Sequence, residues 1–201
     1  MTVSPIPLSP VRPSPPGVRT LGTLGMIGSP LLLAYGLYAL GTGATNLNGP
    51  YMGAAGLAYL GGWACSLVGA RRLGALGRSF PARVALAAQF TLLLAAAAFS
   101  VQELVYGTPE RIPYPILDLA WPLSHTFMLV TGAFVLRARP WAGWRRWPAL
   151  LCGFKIPLLV VASAASGGGV PPRPAQVVAF AWGALTLMLL GYAVRTGASE
   201  R

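Results

Sequence analysis

Six apolar stretches of about twenty residues divide this chain, and twelve of its fourteen arginines fall in alternate gaps or at the two ends. Few folds tolerate that arrangement. A hydrocarbon core roughly 30 Å thick demands about twenty helical residues per crossing. The stretches at about 21–41, 52–70, 83–105, 114–136, 147–166 and 174–194 meet that demand. Backbone polar groups inside a bilayer must be satisfied within a helix or a closed barrel. No stretch carries the alternating pattern of a barrel strand. The reading is an all-α integral membrane bundle of six transmembrane helices.

Arginine placement then orients the bundle. Arg12 and Arg19 precede the first span, and Arg195 and Arg201 follow the last. The second gap holds Arg71, Arg72, Arg78 and Arg83, and the fourth holds Arg137, Arg139, Arg145 and Arg146. The first gap has none, the third only Arg111 and the fifth only Arg173. Positive residues near span ends are retained in the cytoplasm. Both termini, with the second and fourth connections, are therefore expected there. An even number of spans requires the same.

Residues 1–20 carry six prolines and no acid, which predicts an extended, disordered cytoplasmic tail. The run 21–40 is longer than the apolar core of a usual signal peptide, so an uncleaved first span is expected. The membrane domain is placed at 21–195 and a short cytoplasmic tail at 196–201.

Only 9% of the residues are charged and mean hydropathy is +0.62, far from a soluble domain. The net charge of +11 does not point to nucleic acid, because the basic residues lie at span edges rather than on one polar face. The expected partner is the lipid bilayer, with anionic head groups near the arginines. Cys65 and Cys152 fall inside spans, where free thiols pack as small hydrophobes.

Tyr51, Tyr106, Tyr114, Trp141, Trp144 and Trp147 mark the expected interfaces, whereas Trp63, Trp121 and Trp182 are expected within the bundle. Gly25, Gly28, Gly53, Gly56, Gly61, Gly62, Gly69, Gly132, Gly183 and Gly191 would let helices approach closely. They would also serve a homodimer or a membrane partner protein, between which nothing in the chain chooses. Pro30, Pro122 and Pro157 should kink spans one, four and five, each removing a helical hydrogen bond.

Ionisable residues inside hydrocarbon are costly and mark sites by default. The only histidine, His125, and the only lysine, Lys155, lie inside spans, and of the four acids Glu103 and Asp118 lie within or at the edge of spans. At 1.5 Å per residue, Lys155 sits roughly 12 Å and His125 roughly 16 Å from the ends of their spans, both near mid-depth. Asp118 and His125 are seven apart, which places them on one helical face. The expected ligand-binding constellation is Gln102 and Glu103 from span three, Asp118, Trp121, Ser124 and His125 from span four, and Lys155 from span five.

No cofactor or metal is expected. A single histidine excludes bis-histidine haem, and the scattered His125, Cys65 and Cys152 make no zinc set. Ser124 and His125 are adjacent, so they point apart and form no triad. Phosphate loop, redox CxxC and HExxH motifs are absent. The leading function is a multi-pass inner-membrane protein that binds or passes a small solute, proton or lipid moiety between helices three, four and five. Its alternative is a non-catalytic integral subunit or scaffold, with the polar cluster as helix-packing glue. An enzyme acting on lipid, with His125 or Asp118 as base, ranks third.

Two stretches, GLAYLGGWACSLVGARRLGALGR (56–78) and ILDLAWPLSHTFMLVTGAFVLRA (116–138), carry a resemblance. Their GWxCSxxGxRR and DxxWPLSHxFMLV patterns resemble a loosely defined group of uncharacterised bacterial multi-pass membrane proteins. The matching positions are Gly62, Trp63, Cys65, Ser66, Gly69, Arg71 and Arg72, then Asp118, Trp121, Pro122, Leu123, Ser124 and His125. The resemblance implies the bundle and draws attention to span four. It implies no mechanism.

Overall fold

Prolines decide where the helices of this chain break. A computed structural model describes residues 16–42, 49–169 and 171–197; the tail expected at 1–20 lies outside them up to residue 15, and that at 196–201 from residue 198. Helices α1 (Val18–Gly28) and α2 (Leu31–Gly41) are separated at Ser29 and Pro30. Helix α3 spans Pro50–Arg72 and α4 spans Phe80–Tyr106. A 3-10 segment, Pro115–Leu119, leads into α5 (Ala120–Ala138). Then come α6 (Pro148–Gly153), α7 (Lys155–Ala165) and α8 (Arg173–Gly197). No strand is present among the described residues.

Each of the three prolines sits at a break or in the first turn beyond one. Without an N–H, Pro30, Pro122 and Pro157 cannot bond the carbonyls of Met26, Asp118 and Gly153 four residues back. The chain answers by starting a new helical segment. At Pro157 the result is a 48° bend between the Gly143–Gly153 and Lys155–Ala165 segments. At Pro122 it is a change from 3-10 to α winding, rather than the kink expected in a continuous span.

Among the described residues five helices are long and apolar enough to cross a membrane: Val18–Ala39, taken through its break, then Pro50–Arg72, Phe80–Tyr106, Pro115–Ala138 and Arg173–Gly197. The bent pair makes a sixth if it is one span. They close into a ring. The α1 helix packs on α3 and α8, α3 on α4, α4 on α5, α5 on α6, and α6 and α7 on α8. Trp141, expected among interfacial rings, is buried, with Nε1 near the Cβ position of Gly197.

Lipid tails are as apolar as leucine, so packing contacts rather than hydrophobic expulsion hold such helices together. Glycine makes those contacts close. A Cβ on Gly28 would lie 2.5 Å from the Ala58 carbonyl and 2.9 Å from Gly62 Cα, and one on Gly22 would lie 2.6 Å from the Gly191 carbonyl. Gly61, grouped with these from sequence, meets nothing within 4 Å. Accordingly Gly28→Leu should cost about 1–3 kcal/mol or more through overpacking against backbone. Gly61→Leu should stay within about 0.5 kcal/mol of the parent. Thermal unfolding in detergent would read the pair, and equal losses would contradict the close α1–α3 crossing.

Candidate functional site

Helix α5 presents His125 to the bundle interior, where the ring is 1% exposed. Its Nδ1 lies 2.8 Å from the Trp121 carbonyl oxygen one turn back. A carbonyl only accepts, so Nδ1 carries the proton and donates, leaving Nε2 as the acceptor. Two donors converge on that nitrogen. The Tyr59 hydroxyl of α3 lies 2.9 Å away and the Lys155 amine, at the start of α7, 3.3 Å away. Tyr59 and Lys155 are themselves buried.

Aromatic rings enclose the three groups. Lys155 Nζ lies 5.5 Å from the Tyr59 ring centroid and 5.4 Å from that of Phe180 on α8. Such faces attract an ammonium by about 0.5–2 kcal/mol, more when dry. Trp121 stacks against Tyr59 at 6.0 Å, and Trp63 lies 4.8 Å from the His125 ring. Gly183 leaves the necessary room, since a Cβ there would approach the Tyr59 hydroxyl at 3.1 Å and Lys155 Cδ at 3.2 Å. Helices α3, α5, α7 and α8 thus meet at one set of atoms.

A second polar link joins α4 to α5. Buried Gln89 donates through Nε2 to the Ser124 carbonyl at 3.1 Å and accepts at Oε1 from the Thr131 hydroxyl at 3.4 Å. The Ser124 hydroxyl turns back to the Trp121 carbonyl at 2.8 Å, within its own helix.

The constellation expected from sequence therefore divides. Trp121, His125 and Lys155 are together, and the Ser124 hydroxyl shares the Trp121 carbonyl with His125. Gln102, Glu103 and Asp118 form a separate group near the other end of α4. There Gln102 Oε1 accepts the Tyr114 backbone N–H at 3.0 Å, while its Nε2 is buried without a partner. Glu103 is buried within electrostatic reach of Asp118 and of Tyr35 on α2. Asp118 itself is exposed. It belongs to the 3-10 segment, whose roughly 120° per residue departs from the 100° of an α-helix. The seven-residue spacing to His125 consequently does not describe one continuous α-helical face.

Sequence reasoning assigned no site role to Tyr59, Gln89 or Phe180, and expected Trp63 and Gly183 only as packing residues. Two carried a signal. Tyr59 stands in mid-span, away from the interfaces that tyrosine favours, and Gln89 is an amide in an otherwise apolar run. The described residues contain no group of three or more His, Cys, Asp or Glu able to hold a metal. Four cavities of about 210–420 Å³ occur along the described surface, and none of the four is lined by Tyr59, His125 or Lys155. The chain matches no family model, no curated protein and no solved structure.

Because Tyr59 and Lys155 share one acceptor, their effects should not add. Tyr59→Phe alone should cost about 0.5–1.5 kcal/mol, the range for a buried hydrogen bond. Combined with Lys155→Met, it should show a coupling of about 0.5 kcal/mol or more. Denaturant unfolding of the four species in detergent measures this, and strict additivity would mean that the two donors do not compete for His125.

Proposed function

We propose that this protein is a non-catalytic integral subunit or scaffold of a bacterial inner membrane, with six spans and both termini in the cytoplasm. Its Tyr59–His125–Lys155 cluster acts as helix-packing glue. One observation carries the reading: the cluster's polar groups are turned on one another inside an aromatic shell. The six-span count takes the bent segments around Phe154 as one crossing, and the orientation follows the arginine distribution. A homodimer or a membrane partner protein would supply the remaining contacts.

A second reading, passage of a proton or small solute, has one observation in its favour. Lys155 meets a histidine and a tyrosine where a structural pair would ordinarily supply a carboxylate. Tyrosine, histidine and lysine are all groups that hold and release protons.

The two readings separate on Lys155, the only lysine in the chain, which makes amine labelling specific once the α-amino group is read by peptide mapping. In liposomes, small water-soluble amine reagents should leave Lys155 unmodified in the folded protein and modify it after unfolding. The liposomes should hold an imposed pH gradient as long as empty ones. Rapid labelling of the folded protein, or a proton leak that Lys155→Met abolishes, would transfer the assignment to the second reading.

A further inference from the structure

At the end of the bundle opposite Glu103, the connection between α3 and α4 borders an open cavity of about 420 Å³. Arg71, Arg72, Arg78 and Arg83 line it, and Leu76 and Leu86, both buried, contribute apolar surface. We propose that this cavity binds a phosphate group, carried by an anionic lipid head group or by a free phosphate. The site lies apart from the His125 cluster and stands independently of the function proposed above.

The connection fixes its backbone between Arg72 and Arg78. Gly74, at φ 67°, ends α3 in a Schellman turn, with Gly74 N–H donating to the Arg71 carbonyl at 2.8 Å and Ala75 N–H to that of Ala70 at 2.9 Å. Leu73, Ala75 and Leu76 are buried beneath it. Arginines retained only to orient a span need charge in a loop, not a fixed concavity. Here four arginines line one, and guanidinium matches phosphate oxygens in a bidentate fork.

No described acid offsets them. Glu103 stands twenty residues along α4 from Arg83, roughly 30 Å away at 1.5 Å per residue, and Glu110 and Asp118 belong to the connection beyond α4. Arg72 also donates to the Pro16 carbonyl at 3.1 Å, and the Arg83 guanidinium lies 6.0 Å from the Phe80 ring centroid. The N-terminus of α4 is already capped by Ser79, whose hydroxyl accepts from Ala82 N–H at 3.4 Å, so the anion's contacts fall to the arginines. A smaller cavity shares Arg78 and adds Arg137, which extends the basic surface. Phe80 and Val84 project outward beside the opening, as expected where a lipid's chains would run.

The test uses the full chain, delipidated in non-ionic detergent and returned to nanodiscs of phosphatidylcholine with a small fraction of phosphatidylglycerol. Retained phosphatidylglycerol is counted after re-extraction. Wild type should retain it selectively, and Arg71→Gln, Arg78→Gln and Arg83→Gln together should weaken retention about tenfold. Since that variant loses charges that orient spans, the triple arginine-to-lysine variant is measured beside it. Lysine keeps the charge but not the fork, so it should retain the orientation and bind more weakly than wild type. Competition by inorganic phosphate at millimolar concentration would identify the free anion as an occupant. Competition only by phosphatidylglycerol would identify the lipid. Equal retention by wild type and both variants, or no preference over phosphatidylcholine, would overturn the proposal.

Discussion

A helix in hydrocarbon has no water with which to complete its backbone hydrogen bonds, and much of this structure follows from how three prolines meet that constraint. Each proline withholds one N–H from the carbonyl four residues back. The chain ends one helix and begins another rather than bending a continuous one. Carbonyls close to these breaks also accept from side chains. The Leu151 carbonyl, just before the break at Phe154, takes the Trp182 Nε1–H of α8 at 2.8 Å. The break also makes Lys155 the first residue of a new helix, in reach of His125 on α5. Near Pro122, the Trp121 carbonyl receives both the His125 ring and the Ser124 hydroxyl. Helix punctuation and polar site are one arrangement.

The enclosure of Lys155 shows which forces such a site must balance. An ammonium inside a bundle loses its water and regains little unless something replaces it. Here the replacement is a neutral imidazole nitrogen and two aromatic faces, from Tyr59 and Phe180. Individually these are worth about 0.5–2 kcal/mol. They hold a lysine in place without the carboxylate that would make an ordinary buried ion pair. Glycine enters the same balance, because Gly183 gives up a side chain so that Lys155 and Tyr59 can occupy its space.

The described acids keep to one end of the bundle, where Arg111 stands beside Glu110. Glu103, Glu110 and Asp118 gather at one end, while Arg71, Arg72, Arg78 and Arg83 ring a cavity at the other. Isolated surface charges would be screened within about 10 Å in salt. Four arginines lining one cavity stand close enough for their fields to add within that distance.

Helical class, apolar spans and the segregation of arginine could be read from the sequence, because a bilayer imposes length and charge rules that act residue by residue. That His125 and Lys155 lie inside apolar runs was legible from the sequence too. Which polar residues share a site was not. Depth says nothing about azimuth, and azimuth depends on where each helix breaks and which neighbour it packs against. Asp118 was assigned to the face of His125 on an unbroken α-helical count that its 3-10 segment does not follow. Tyr59, from a helix distant in sequence, took the place expected of an acid. Tertiary structure alone decided that partnership, since only the packed ring of helices brings α3, α5, α7 and α8 to one point.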